Sequence, residues 1–194
     1  MFSIQVSSIF LNNMQSSASP LCSNDIHLAN ATPFDFGAEF INLARGIDPG
    51  LVFKAGYYDY VQFQCTVPGV DDMSVRRVVG VGCPKRKKWC SDLNTANLTV
   101  SNLVRSRKVI RRLSNVGSEN ERYKVVVREP LGVRVRVFPQ VFDARVNASR
   151  HLRIVLEAAE VTNRYTFGEL VLQGNRKHVV RVPMVVFVGS PLGS

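Results

Sequence analysis

The side chains able to do covalent or acid–base chemistry are few: three histidines (His27, His151, His178), four cysteines (Cys22, Cys65, Cys83, Cys90) and a scatter of serines. A serine hydrolase site needs a nucleophile, a base within hydrogen-bond reach and a carboxylate that orients the base. His27 stands in a loop-like stretch. His151 and His178 stand beside arginines in segments of strand-like pattern, where a surface or edge histidine is expected. No serine occupies a G-x-S-x-G turn, and no P-loop or G-x-G-x-x-G run could cradle a phosphate or dinucleotide. The cysteines include no CxxC pair and the histidines are far apart, which speaks against zinc. The sequence therefore predicts no catalytic, cofactor-binding or metal-binding residue, and the chain is expected to run no reaction alone.

The elements that would position these residues change character along the chain. Residues 1–30 are mostly polar and read as a poorly structured lead-in. No Lys or Arg precedes the short apolar IFL, so no export signal is expected. Turn residues punctuate TPFDFGAEFINLARGIDPGLVF at 32–53. YYDYVQFQ at 57–64 puts Tyr57, Tyr60, Val61 and Gln64 on one helical face. Asp71 and Asp72 suit the cap of a second helix that Gly80 would end. Cys65 and Cys83 flank this pair, which one disulfide could close. Spacing does not decide between one or two disulfides and buried free thiols.

From residue 92 the period becomes that of strands. Seven are predicted, at 96–101, 107–114, 122–128, 132–138, 150–157, 164–172 and 176–188, spaced as in a β-sandwich. In GVRVRVF, Val133, Val135 and Val137 face one way and Arg134 and Arg136 the other. Leu152, Ile154 and Leu156 alternate likewise with His151 and Arg153.

The formal charge of +10 is uneven: residues 1–60 hold two basic and five acidic side chains. The strand region carries the excess, mainly as the wet faces of its sheets. Such a field favours acidic partners, acidic cell-wall polymers among them. No RNP-like strand or helix-turn-helix pattern accompanies it, so no nucleic-acid partner is expected. PKRKKW at 84–89 reads as a solvated loop. No apolar run approaches the roughly 18–20 residues of a membrane span. N-x-S/T sequons at Asn30, Asn97 and Asn147 lean, with the cysteines, toward an extracellular protein.

The ordered motifs of residues 31–188 resemble those of plant subtilisin-like serine proteases. TPFDFGAEFINLARGIDPGLVF is similar to the family's TPFDFGAG…DPGLV segment, although Glu39, Leu43 and Gly46 depart from it. Tyr57–Cys65 resembles a "DY-x-x-FLC" helix, DLNTANLTVSNL a "DLNYPS" entry, and RRLSNVG an "RTVTNVG" strand. YKVVVREPLGVRVRVFP and RKHVVRVPMVV resemble two further strand motifs. The resemblance implies a mainly β protein: a fibronectin type III-like sandwich at 92–188, preceded by the end of a peptidase domain at 31–91 and followed by a tail at 189–194. It implies a peptidase domain as partner in cis, an apoplastic location (against the cytosol expected if the chain is translated as written), and pairing of Cys65 with Cys83, with Cys90 as the competing partner. The family's catalytic motifs have no counterpart in these residues. Phe34, Phe36, Phe40, Ile41, Leu51 and Phe53 are then expected to present apolar surface meant for a missing core.

Overall fold

The computed structural model describes residues 47–85 and 88–189. The lead-in, Glu39 and the four upstream apolar residues lie outside them. Mainly β in composition, it stacks two sheets, with two short helices beside them.

Strands β1 (Leu51–Phe53), β3 (Ser106–Asn115), β7 (Ser149–Ala158) and β5 (Val133–Phe138) form one sheet in that order, all antiparallel. The second sheet runs β2 (Leu98–Val100), β9 (Val179–Phe187), β8 (Tyr165–Gly174), β4 (Glu121–Arg128) and β6 (Val141–Ala144). Among the described strands only β2 pairs in parallel, with β9. Alternation decides which faces meet. Val133, Val135 and Val137 are buried with Leu152, Ile154 and Leu156 against Leu170, Leu172, Val180, Val182 and Met184 of the other sheet. The arginines between them stay wet.

All seven expected strands are present, and two more join them. β6 escaped notice because four residues do not establish a period. β1 escaped because it precedes the expected boundary at residue 92. The sandwich begins earlier than that boundary: Val52 pairs with Ser114, and Leu51 and Phe53 are each 1% exposed within the common core. The expectation that these two side chains await a missing core is corrected. They bury themselves on β3, because three apolar residues in a row fit a strand covered on both sides.

Two side chains weld this early strand to the rest. After Phe53 the β1–β3 register would bring Lys54 opposite Arg112. Asn94 takes over there: its Nδ2 donates to the carbonyls of Lys54 (3.1 Å) and Arg112 (2.8 Å), and its Oδ1 accepts from Arg112 N–H at 2.8 Å. The side-chain amide thus completes backbone pairing that no strand supplies. One position before it in β3, Arg111 points inward in the row Val109–Arg111–Leu113 and is 1% exposed. Its guanidinium donates to the carbonyls of Ser91 (3.0 Å) and Asn97 (2.8 Å). Burial lowers its pKa to about 10, opposed by the nearby Asp92. The wet-face reading of the arginines fails at this position.

The helices α1 (Tyr57–Gln64) and α2 (Asp72–Val79) end as their residues dictate. Asp59 accepts from the Gly56 N–H (2.8 Å), and Asp71 caps α2 through the Ser74 N–H at 2.6 Å. Gly80 closes α2 in the left-handed region at φ 74°. A disulfide joins Cys65 to Cys83 across the pair, with Cα atoms 5.8 Å apart.

If β1 belongs to the sandwich core, Phe53→Ala should destabilise it by about 3–5 kcal/mol. Urea unfolding of the full chain, followed by far-ultraviolet circular dichroism, reads this; a loss below about 1 kcal/mol would place Phe53 outside the core.

Candidate functional site

The described histidines have different fates. His151 is exposed on β7. His178, expected at the surface, is 14% exposed in its side chain and forms the hub of a polar cluster. Its Nδ1 lies 2.5 Å from Glu121 Oε2, and its Nε2 faces Asp48 Oδ1 at 3.1 Å, too bent for a good hydrogen bond. Each ring nitrogen therefore faces a carboxylate oxygen. Glu121, 3% exposed in its side chain, also accepts from the Tyr123 hydroxyl at 2.9 Å and the Arg176 N–H at 3.1 Å. Lys177 reaches Asp48 at 2.7 Å.

Electrostatics follow from these contacts. Burial raises the Glu121 pKa, but hydrogen bonds from His178, Tyr123 and Arg176 outweigh it and the net shift is downward. Asp48 is lowered chiefly by its hydrogen bond from Lys177, with His178 adding to it. The Tyr123 hydroxyl is pushed well up by burial and by the Glu121 charge. Space for the cluster comes from Gly50: at φ 68° it adopts a backbone that favours glycine, and a Cβ there would lie 2.7 Å from both His178 Cγ and the Tyr123 hydroxyl.

Chemically this is a clasp. Both ring nitrogens of His178 are turned toward carboxylates, Nδ1 within hydrogen-bond distance of Glu121 and Nε2 facing Asp48. The cluster ties the turn at 48–50, the start of β4 and the β8–β9 turn together. Sequence reasoning missed it because its members are brought together from far apart. The only local hint was Glu121, an acid opening a strand whose next inward position is Tyr123.

A second feature is apolar. Tyr57, Tyr60 and Val61 of α1, Val75, Val78 and Val79 of α2, and their neighbours line a groove of about 400 Å³. Tyr58, Met73 and Val78 are 64%, 69% and 83% exposed beside it. Trp89 lies against the sandwich, where the guanidinium of Arg107 stacks over its ring, 4.2 Å from the centroid. Cys90 is a free, exposed thiol. Asn97 and Asn147 are exposed, while Asn30 lies outside the described residues. Among the described residues no group of three or more His, Cys, Asp or Glu could hold a metal ion, and no helix is long and apolar enough to cross a membrane.

Two sheets in this arrangement define a class, and comparison with known families agrees: residues 92–186 match the fibronectin type-III domain. The wider chain matches the C-terminal part of plant subtilisin-like proteases. It is 38% identical over 160 residues to the subtilisin-like protease SBT2.6 of Arabidopsis thaliana, covering 82% of this chain and 20% of that protein. SBT2.5 of the same plant is 36% identical over the same shares. SBT3.9 is 36% identical, over 80% of this chain and 21% of that protein. The chain thus spans about a fifth of the length of these relatives.

Both carboxylates of the clasp have lowered pKa values in the folded state, so the unfolded chain takes up protons first on acidification. Their stabilisation is present above the ordinary values of 3.8 and 4.5 and is lost as pH falls through the lower folded values. Thermal midpoints should therefore drop between roughly pH 5 and pH 3, and Glu121→Gln should flatten that acid limb while lowering the midpoint at neutral pH. Parallel curves for the two proteins would remove Glu121 from the account.

Proposed function

We propose that these residues act as a non-catalytic C-terminal support of a subtilisin-like peptidase domain. Residues 31–91 belong by descent to the end of that domain and 92–188 to the sandwich. The observation that carries the reading is the open apolar groove between α1 and α2. Its valines and tyrosines line a surface too apolar for a solvated helix pair, and exposed apolar patches of this kind mark interaction sites. The sandwich, with β1 and the His178 clasp, would hold that surface in fixed orientation. The coverage of only a fifth of the relatives favours a longer secreted serine endopeptidase as the setting in which the groove is filled.

The groove is tested by mixing the full chain with a separately produced Arabidopsis subtilisin-like peptidase domain and measuring association by analytical ultracentrifugation. Wild type should associate. Val78→Lys, at an exposed position that leaves the fold intact, should weaken association at least about tenfold. Equal association by both proteins would overturn the docking surface. Hydrolysis of a casein substrate by the chain alone would overturn the non-catalytic reading.

An extracellular location is part of the proposal, supported by the disulfide and by two exposed sequons. Expressed through a secretory pathway with a leader supplied, the chain should lose mass on peptide-N-glycosidase treatment, and Asn97→Gln with Asn147→Gln should reduce that loss. No change in mass for the secreted wild type would remove glycosylation from the reading.

A further inference from the structure

The outer face of the β3–β7–β5 layer is neither part of the clasp nor part of the groove. Its composition follows from register. Across the three strands the outward rows read Glu157 beside Arg134, then Lys108–Val155–Arg136, then Ile110–Arg153–Phe138, then Arg112 beside His151. Five permanent cations thus share one face with a single carboxylate, Glu157, which is paired to Arg136. Lys108 and Arg134 make no ion pair among the described residues. Every one of the five is exposed.

The spacing has a direction. β3 and β5 flank β7, so their cations stand about 10 Å apart on either side of it, at a strand separation of about 4.8 Å. Between them β7 presents Glu157, the half-buried Val155, Arg153 and His151, while Ile110 on β3 and Phe138 on β5 are 50% and 43% exposed. Cations on both flanks, with Val155 and Ile110 as apolar steps among them, fit an extended chain that carries carboxylates to both sides and offers carbon–hydrogen faces between them.

We propose that this face binds a linear polyuronate, laid along β7 with its carboxylates on Lys108 and Arg112 to one side and on Arg134 and Arg136 to the other. Guanidinium forks match carboxylates in two-point geometry. The pyranose faces cover Val155 and Ile110. A nucleic acid fits less well, because single strands need open aromatic platforms for base stacking. The one aromatic ring of this face, Phe138, is already covered by the Arg153 guanidinium at 5.1 Å. Binding here is independent of the peptidase-docking groove, so either reading can fail alone.

The test titrates polygalacturonate into the full 194-residue chain by isothermal calorimetry at physiological salt. Fully methyl-esterified polymer, heparin and single-stranded DNA run beside it. Lys108→Ser with Arg134→Ser and Arg136→Ser should weaken polygalacturonate binding at least about tenfold. Lys124→Ser with Arg145→Ser and Arg164→Ser, which removes equal charge from other exposed positions, should change it by no more than about twofold. The esterified polymer should not bind. Equal weakening by the two triple variants, or heparin or DNA binding as tightly as polygalacturonate, would overturn the assignment, as would no binding of polygalacturonate by the wild type.

Discussion

One cation placed in a hydrophobic core constrains much of this molecule. Arg111 lies between Val109 and Leu113 on the inward face of β3, and burying a charge is costly unless hydrogen bonds compensate it. Its two terminal nitrogens donate to the main-chain carbonyls of Ser91 and Asn97, while Nε finds no partner among the described residues, so the segment 90–97 lies against the sandwich. That placement brings Asn94 to the end of β1, where its amide completes the pairing of Lys54 and Arg112. The short strand upstream and the long sandwich downstream are thereby one body. The family boundary at residue 92 marks where the matched fibronectin type-III region begins, while the packed unit begins about forty residues earlier.

The two helices stand in contrast. Each buries a single residue, Val61 or Val75, and they owe their cohesion to caps, the Asp72 contacts and the Cys65–Cys83 disulfide. A pair of eight-residue helices is too short to be stable on propensity alone. A covalent link reduces the freedom of the unfolded segment where a core is too small to do so. What remains is a stapled platform that keeps its apolar side open, which suits a surface completed by something else.

Much of this was legible in the sequence, for a simple reason. Period-two alternation reports which side of a strand is dry, and Val133–Val137 and Leu152–Leu156 announce it without help. Capping is equally local, so Asp71 and Gly80 marked α2 correctly. The errors fell where meaning depends on remote partners. Leu51 and Phe53 looked stranded because the strand that covers them is sixty residues away. His178 looked like an edge residue because Asp48 and Glu121 are far from it in the chain. Arg111 looked like one more wet arginine because the carbonyls that hold it, those of Ser91 and Asn97, lie outside its own strand.

By itself, then, the sequence determined the sandwich, its two faces, the helix pair and its ends, since each depends on neighbours within a few residues. The tertiary structure alone decided that β1 joins the sandwich and that Asp48, Glu121 and His178 meet. It also decided that Lys108, Arg134 and Arg153 share one surface. Register and long-range pairing set distances between residues distant in the chain, and no local pattern encodes those distances.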